Sequence, residues 1–512
     1  MIRWFAGLFM AVLLALFSAA PAQAEWLEAS NSHFIVYGDM KREELQRFAD
    51  RLERFDAALR VGLNLKDAIT VPSNRVVIYV VRNQEAITDL GMNEAVAGFY
   101  IPRVSGPFAV TPRKTDNDPF FKPELVLFHE YVHHLMLNNS SGYYPRWVTE
   151  GMAEFFAVAR IEEDGGVTTG LPNNARTRGL FGDEQVWISD LLNADATRGL
   201  GVEGDQLYAR GWLLIHYLLL GGKRDGQLDR YLALLNAHKA PLDAARDAFG
   251  KLAKLDGELN DYRMRPLRSV TVPASGLRMA PITIRALDAG EAAMMPLRIK
   301  SIISLPPQKA KALLAPARQI AAGYPAHAWV QRMLAEIELA AGNDAEAGAA
   351  ADRALAADQN NVMAMIFKGQ IEQRRAKAAK PADPELWKAA RRWFAKANRT
   401  DPDYAYSLQL FYGSYVDAGE APNANAVAAL ERAVDLAPQV DDLRMLLARE
   451  RLRTGDLTAM RNALMPVAAD PHGGRANPAA KLVALINSGA DLATVRAELA
   501  KIDKPAPPQP GS

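Results

Sequence analysis

No cysteine occurs among the 512 residues. Disulfide frameworks and thiolate metal sites are therefore excluded, and any metal must be held by histidine and carboxylate. An excess of one charge is missing too: 60 Lys and Arg stand against 59 Asp and Glu. No basic cluster of the kind a phosphate backbone demands is present, so nucleic acid is not an expected partner. A long hydrophobic run occurs only at the start, where Met1-Ile2-Arg3 precedes the apolar stretch Trp4 to Phe17. Ala22-Gln23-Ala24 then gives a small-x-small site. This reads as a signal peptide over residues 1–24, cleaved between Ala24 and Glu25 and too short for a comfortable bilayer span. The expectation is a periplasmic or secreted product, with no stable membrane insertion after the signal is removed. The remaining composition, 49% apolar and 23% charged, is that of an ordinary globular chain long enough for at least two domains.

The richest local signal is His129-Glu130-Tyr131-Val132-His133, an HExxH pattern. On a helix, residues four apart share a face, so His129 and His133 can hold one Zn²⁺ while Glu130 can take a proton from water on that metal. Pro123 suits a first helical turn, and Leu125, Val126, Phe128, Val132, Leu135 and Met136 supply an apolar stripe. A zinc site open to water needs a third protein ligand. The next apolar helix, Trp147 to Arg160, offers Glu150 in its first turn and Glu154 one turn later. Glu150 is read as the third ligand, and Glu154 as a carboxylate fixing the tautomer of a ligand imidazole. The competing reading is that these carboxylates merely complement a helix dipole.

With the short loop and the segment Thr149-Glu150-Gly151-Met152-Ala153, this pattern resembles gluzincin metallopeptidases, and within them the compact peptidase MA proteins. The resemblance covers roughly residues 25–265. It implies that Glu150 binds zinc and that Tyr208, in Tyr208-Ala209-Arg210-Gly211, stabilises an oxyanion. It also implies a zinc metallopeptidase acting on a peptide or protein substrate. The chain departs from aminopeptidases in having only Gly91-Met92-Asn93-Glu94 where they hold a free amine, which makes endopeptidase the expected class. The stretch Ala97 to Arg113 reads as a hairpin whose edge can pair with an extended peptide. His134 points about 100° away from His133 and is not expected to be a ligand, and His216 reads as a core or wall histidine.

Beyond residue 265 the character changes. Residues 266–305 read as a linker or small accessory β segment. Residues 306–503 are alanine- and leucine-rich, with Pro402, Pro438 and Pro471 recurring at the tetratricopeptide period of roughly 34 residues. Gly342-Asn343, Gly419-Glu420 and Gly455-Asp456 mark turns inside the units, and residues 504–512 read as a disordered tail. The expected architecture is an α+β zincin-like metallopeptidase domain followed by an all-α tetratricopeptide-like solenoid. The solenoid would recruit substrate or a protein partner. The alternative is a non-catalytic zinc-containing scaffold or adaptor that acts through its repeats.

Overall fold

In the computed structural model, residues 25–503 are described, apart from 66–71, 94–95, 97, 114–122, 140–141, 183–185, 194–203, 304 and 471–476. The signal segment, the tail and Pro471 lie outside the described residues.

Alternating apolar residues build the first sheet. Its strands are β1 (Trp26–Ser30), β2 (Phe34–Asp39), β3 (Val76–Val81), β4 (Phe99–Ile101) and β5 (Phe108–Pro112). β1 and β2 form an antiparallel pair, in register Ala29 to Val36. The helix Arg42–Gly62 then crosses over, as a parallel return requires, so that β3 lies parallel to β2. β5 runs parallel to β3, and β4 folds back antiparallel on β5. The hairpin expected within the stretch Ala97 to Arg113 is thus the β4–β5 pair.

A second, three-stranded sheet contains β6 (Arg160–Ile161), β7 (Val167–Thr169) and β8 (Val270–Val272). The helix bearing Glu150 consequently stops at Ala157, short of the expected Arg160, because Arg160 and Ile161 pair with Thr168 and Val167. Finally β9 (Thr283–Ala286) joins β1, giving the order β4-β5-β3-β2-β1-β9 with β4 at one end.

Both faces of the six-stranded sheet are covered. On one, Leu27, Phe34, Val36 and Ile78 pack with Phe55 of the crossover helix and Phe128 of the HExxH helix (Pro123–Asn138). On the other, Tyr79, Val81, Phe108 and Val110 meet Met295 and Ile299 of the helix Ala289–Ser301. Residues 266–305 therefore contribute a strand to each sheet and a helix to the second face. Their short strands carry no long alternation, which explains why sequence reads them as a spacer.

From Pro307 onward the chain is helical hairpins. Ala328–Ala341 pairs with Asp344–Ala357, Val362–Ala378 with Pro384–Thr400, Ala405–Asp417 with Ala424–Leu436, and Asp441–Thr454 with Leu457–Ala468. Gly342 and Gly455 cap the first helices of their pairs in the left-handed conformation, which costs glycine little. Asn361, Asp383, Asn423 and Asp456 cap others with their side chains. Fully buried Ala347, Ala350, Ala351 and Ala354 let neighbouring helices pack closely. This is a tetratricopeptide-like helical solenoid.

The solenoid is docked on the sheet-containing half. Ser73 donates to the carbonyl of Asp403 at 3.0 Å, and the Tyr404 hydroxyl donates to the carbonyl of Ser105 at 3.0 Å. A buried amide relay crosses the junction: Gln439 Nε2 donates to Asn74 Oδ1 at 2.9 Å, and Asn74 Nδ2 donates to Asn138 Oδ1 at 2.7 Å. No helix among the described residues is long and apolar enough to cross a membrane.

Candidate metal centre

The helix Arg146–Ala157 is buried along its whole length, including both of its carboxylates. It crosses the helix Asp205–Leu220 where two glycines meet. A Cβ on Gly151 would fall 2.6 Å from the Gly211 carbonyl oxygen, and one on Gly211 would fall 2.9 Å from that of Trp147. Neither position has room for a side chain. The crossing brings Tyr208, one turn before Gly211, to the same place as Glu150.

His129, His133 and Glu150 converge. The Nε2 atoms of the two histidines are 3.1 Å apart, and Glu150 Oε2 lies 3.3 Å from His129 Nε2 and 3.6 Å from His133 Nε2. Ligands held about 2.0–2.1 Å from a tetrahedral zinc stand about 3.3 Å from one another, so the spacing fits. Glu150 is wholly buried, and neither of its oxygens accepts a hydrogen bond. A buried carboxylate in that state depends on the charge of the imidazoles beside it, a role that a bound cation would take over. Burial works to raise its pKa, but His133 and His129 hold it well below the usual carboxylate range. Burial likewise opposes the charged form of His129, yet Glu150 and Glu154 raise that imidazole to about 10. The pocket thus carries its own compensating charge pair, and binding a divalent metal would expel the proton.

Glu154 sits behind His129. Its Oε1 is 3.2 Å from His129 Nδ1, an arrangement that leaves Nε2 free to face a metal. The carboxylate is held in turn by Arg176, whose Nη2 donates to Oε1 at 2.6 Å and whose Nε donates to Oε2 at 2.8 Å. Asn173 Nδ2 adds a donor at 2.6 Å. Against burial, His129 and Arg176 bring Glu154 down to about 2. Asn173 and Arg176 come from the glycine-containing stretch after β7. That stretch is pinned to Glu154, and its aperiodic sequence gives no signal of this.

Tyr208 has its ring 6.2 Å from that of His129, with the Arg176 guanidinium 4.7 Å from its ring centre. Burial, with Glu150 adding to it, raises its phenol well above the ordinary value. Glu130 faces a cavity of about 340 Å³ that it shares with His133, Tyr100 and Thr149. His134 stands apart from the triad, with its Nδ1 2.8 Å from the Tyr100 hydroxyl and its pKa lowered by burial to about 3. His216 is a core histidine: Nδ1 lies 2.9 Å from Tyr262 Oη, and Nε2 lies 3.0 Å from the Gly170 carbonyl. The opposite wall of the cavity belongs to the repeats, through Pro438, Gln439, Asp441, Arg444, Pro466 and Asp470. No motif links these residues to the HExxH segment.

A second His–carboxylate cluster, His33, Glu53 and Asp56, has one histidine and two carboxylates where the first has two and one. His33 Nδ1 lies 3.1 Å from Glu53 Oε2 and 3.3 Å from Asp56 Oδ2. Every carboxylate oxygen there already has a partner. Asn31 and Ala280 donate to Glu53, while Arg60 and Tyr131 donate to Asp56.

No protein-family model matches the chain, and no curated protein does. Solved structures similar to it include the following three. TTC0263, a thermophilic TPR protein in Thermus thermophilus, is 16% identical, with 40% of this chain and 97% of that one covered and a TM-score of 0.30. MamA is 14% identical, with coverage of 35% and 95% and a TM-score of 0.27. Pseudomonas aeruginosa pilF is 14% identical, with coverage of 44% and 94% and a TM-score of 0.33. One of these is described as a TPR protein and none as a peptidase, and the expectation of a zinc metallopeptidase is corrected accordingly. The HExxH pattern specifies where metal ligands stand; it does not by itself specify turnover.

Proposed function

We propose that this chain is a zinc-holding adaptor. Its gluzincin-like N-terminal half would present a metal fixed by His129, His133 and Glu150, and its repeats would recruit a protein partner. The observation that carries this reading is the combination of the orphaned Glu150 carboxylate in the triad with a cavity walled by both halves. Zinc bound by three protein ligands keeps one position for an outside group. In this chain Glu154 and Arg176 orient His129, Tyr208 covers the imidazole, and the solenoid supplies the facing surface. Helical solenoids are surfaces for protein segments, which supports a protein partner over a small metabolite. The signal-like start supports a periplasmic or secreted location.

The test is a metal measurement on the full chain, paired with binding and cleavage assays on a random peptide library. Stoichiometric zinc with peptide capture and no cleavage supports the adaptor. Peptide hydrolysis that disappears in Glu130→Gln would overturn it.

A further inference from the structure

The cavity wall contributed by the repeats carries an excess of hydrogen-bond acceptors. The amide relay through Asn74 fixes which way Gln439 faces: Nε2 donates to Asn74, leaving Oε1 a buried acceptor with no donor. Gln439 is only 4% exposed, so water is a poor substitute. Asp441 stands two residues further on, in the first turn of its helix, and its carboxylate accepts no hydrogen bond among the described residues. Arg444 lies close enough to offset part of the Asp441 charge, but it directs Nε to the carbonyl of Pro438 at 2.6 Å. Burial first, and then the neighbouring Asp470, push the Asp441 carboxyl up to about 7. On the opposite wall stand Glu130 and β4, which has no strand beyond it in the sheet among the described residues.

We infer that this cavity takes an extended protein segment laid along β4, and that the segment presents a lysine or arginine side chain to Asp441 and Asp470. The inference deepens the adaptor reading and rests on it. A strand end offers backbone groups to any extended chain and so supplies affinity without selecting a sequence. Selection comes from the facing wall. A guanidinium or ammonium brings only donors, matching the Asp441 carboxylate and the spare amide oxygen of Gln439, with the charge of Asp470 nearby. A neutral side chain leaves Asp441 and the Gln439 oxygen unpaired, and an acidic one adds repulsion. The residues that choose the occupant thus come from the repeats, while those that hold the metal come from the other half.

The test uses zinc-loaded full-length protein and fluorescent peptides of about nine residues, long enough to form a strand. Each has glycine and serine flanks around a central arginine, norleucine or glutamate, and binding is read by anisotropy. The arginine peptide is expected to bind about tenfold more tightly than the norleucine peptide, with glutamate weakest. In Asp441→Asn the arginine advantage should vanish while the norleucine Kd stays unchanged. Asp470→Asn carries the same expectation and serves if the first variant fails to fold, as checked by circular dichroism. Equal binding of arginine and norleucine peptides overturns the inference and leaves the adaptor reading standing. Failure to bind any of the three overturns both.

Discussion

The two His–carboxylate clusters have nearly the same ingredients and opposite hydrogen-bond states. Around His33, the carboxylates of Glu53 and Asp56 receive donors from Asn31, Ala280, Arg60 and Tyr131, so the cluster is closed. Around His129, the buried Glu150 has no hydrogen-bond donor, and only Glu154 behind it is saturated. Proximity alone groups both as possible metal sites. The number of unspent acceptor positions separates them. A closed network joins parts of the fold, as His33 joins the β1–β2 turn to the crossover helix. An open one has capacity left for a ligand.

The largest effect that would sharpen this contrast is metal loss. Wild-type protein should carry about one zinc per chain, and His129→Ala or His133→Ala should abolish stoichiometric binding, whereas His33→Ala should leave it intact. Elemental analysis of the purified variants decides this, and equal zinc in all of them would erase the distinction.

Stability should respond in the reverse pattern. Asp56→Ala removes a buried carboxylate, strands the part-buried Arg60 and the buried Tyr131, and is expected to cost about 3–5 kcal/mol in urea unfolding, with zinc stoichiometry unchanged. A loss of zinc in a still-folded Asp56→Ala would couple the clusters and break the comparison.

An intermediate effect is expected for Glu154→Gln, which removes the carboxylate behind His129 while keeping its size. Zinc affinity should fall about 10- to 100-fold in chelator competition. An unchanged affinity would show that Glu154 does no more than anchor Arg176.

The smallest effect concerns pH. Burial opposes protonation of His33, but Glu53 and Asp56 raise its pKa above the ordinary value. A raised folded pKa means that the stabilisation is fully present below the unfolded value, near 6.5, and is lost as pH rises through the folded one. Thermal melts of His33→Gln and wild type should therefore differ most below pH 6.5 and converge as pH rises through the folded value. A gap that widens with pH would reverse the sign.

Much of the candidate site's geometry was legible in the sequence because its spacing is helical. His129 and His133 are four apart, and Glu150 and Glu154 are four apart on the next apolar helix, so local periodicity carries the pattern. The repeats were legible for a related reason, since glycine turns and buried alanines recur at a fixed interval. Residues joined only by tertiary contact were not legible. Arg176 reaches Glu154 from an aperiodic stretch, β9 is a four-residue strand far along the chain from β1, and Asp441 faces Glu130 across a cavity. The sequence reading of an enzyme followed from carrying a motif's chemistry along with its geometry, and the comparisons correct that step.

The Asn74 relay also sets an order of assembly. Asn74 and Gln439 are 365 residues apart, so at about 5–20 residues per second the ribosome needs on the order of 20–70 s to deliver the second after the first. Through much of that interval the triad and the β4 edge can form but lack their facing wall. The nascent chain therefore passes through a stage in which its metal pocket is open to water and to other chains. The cavity closes only when one of the last helical pairs arrives.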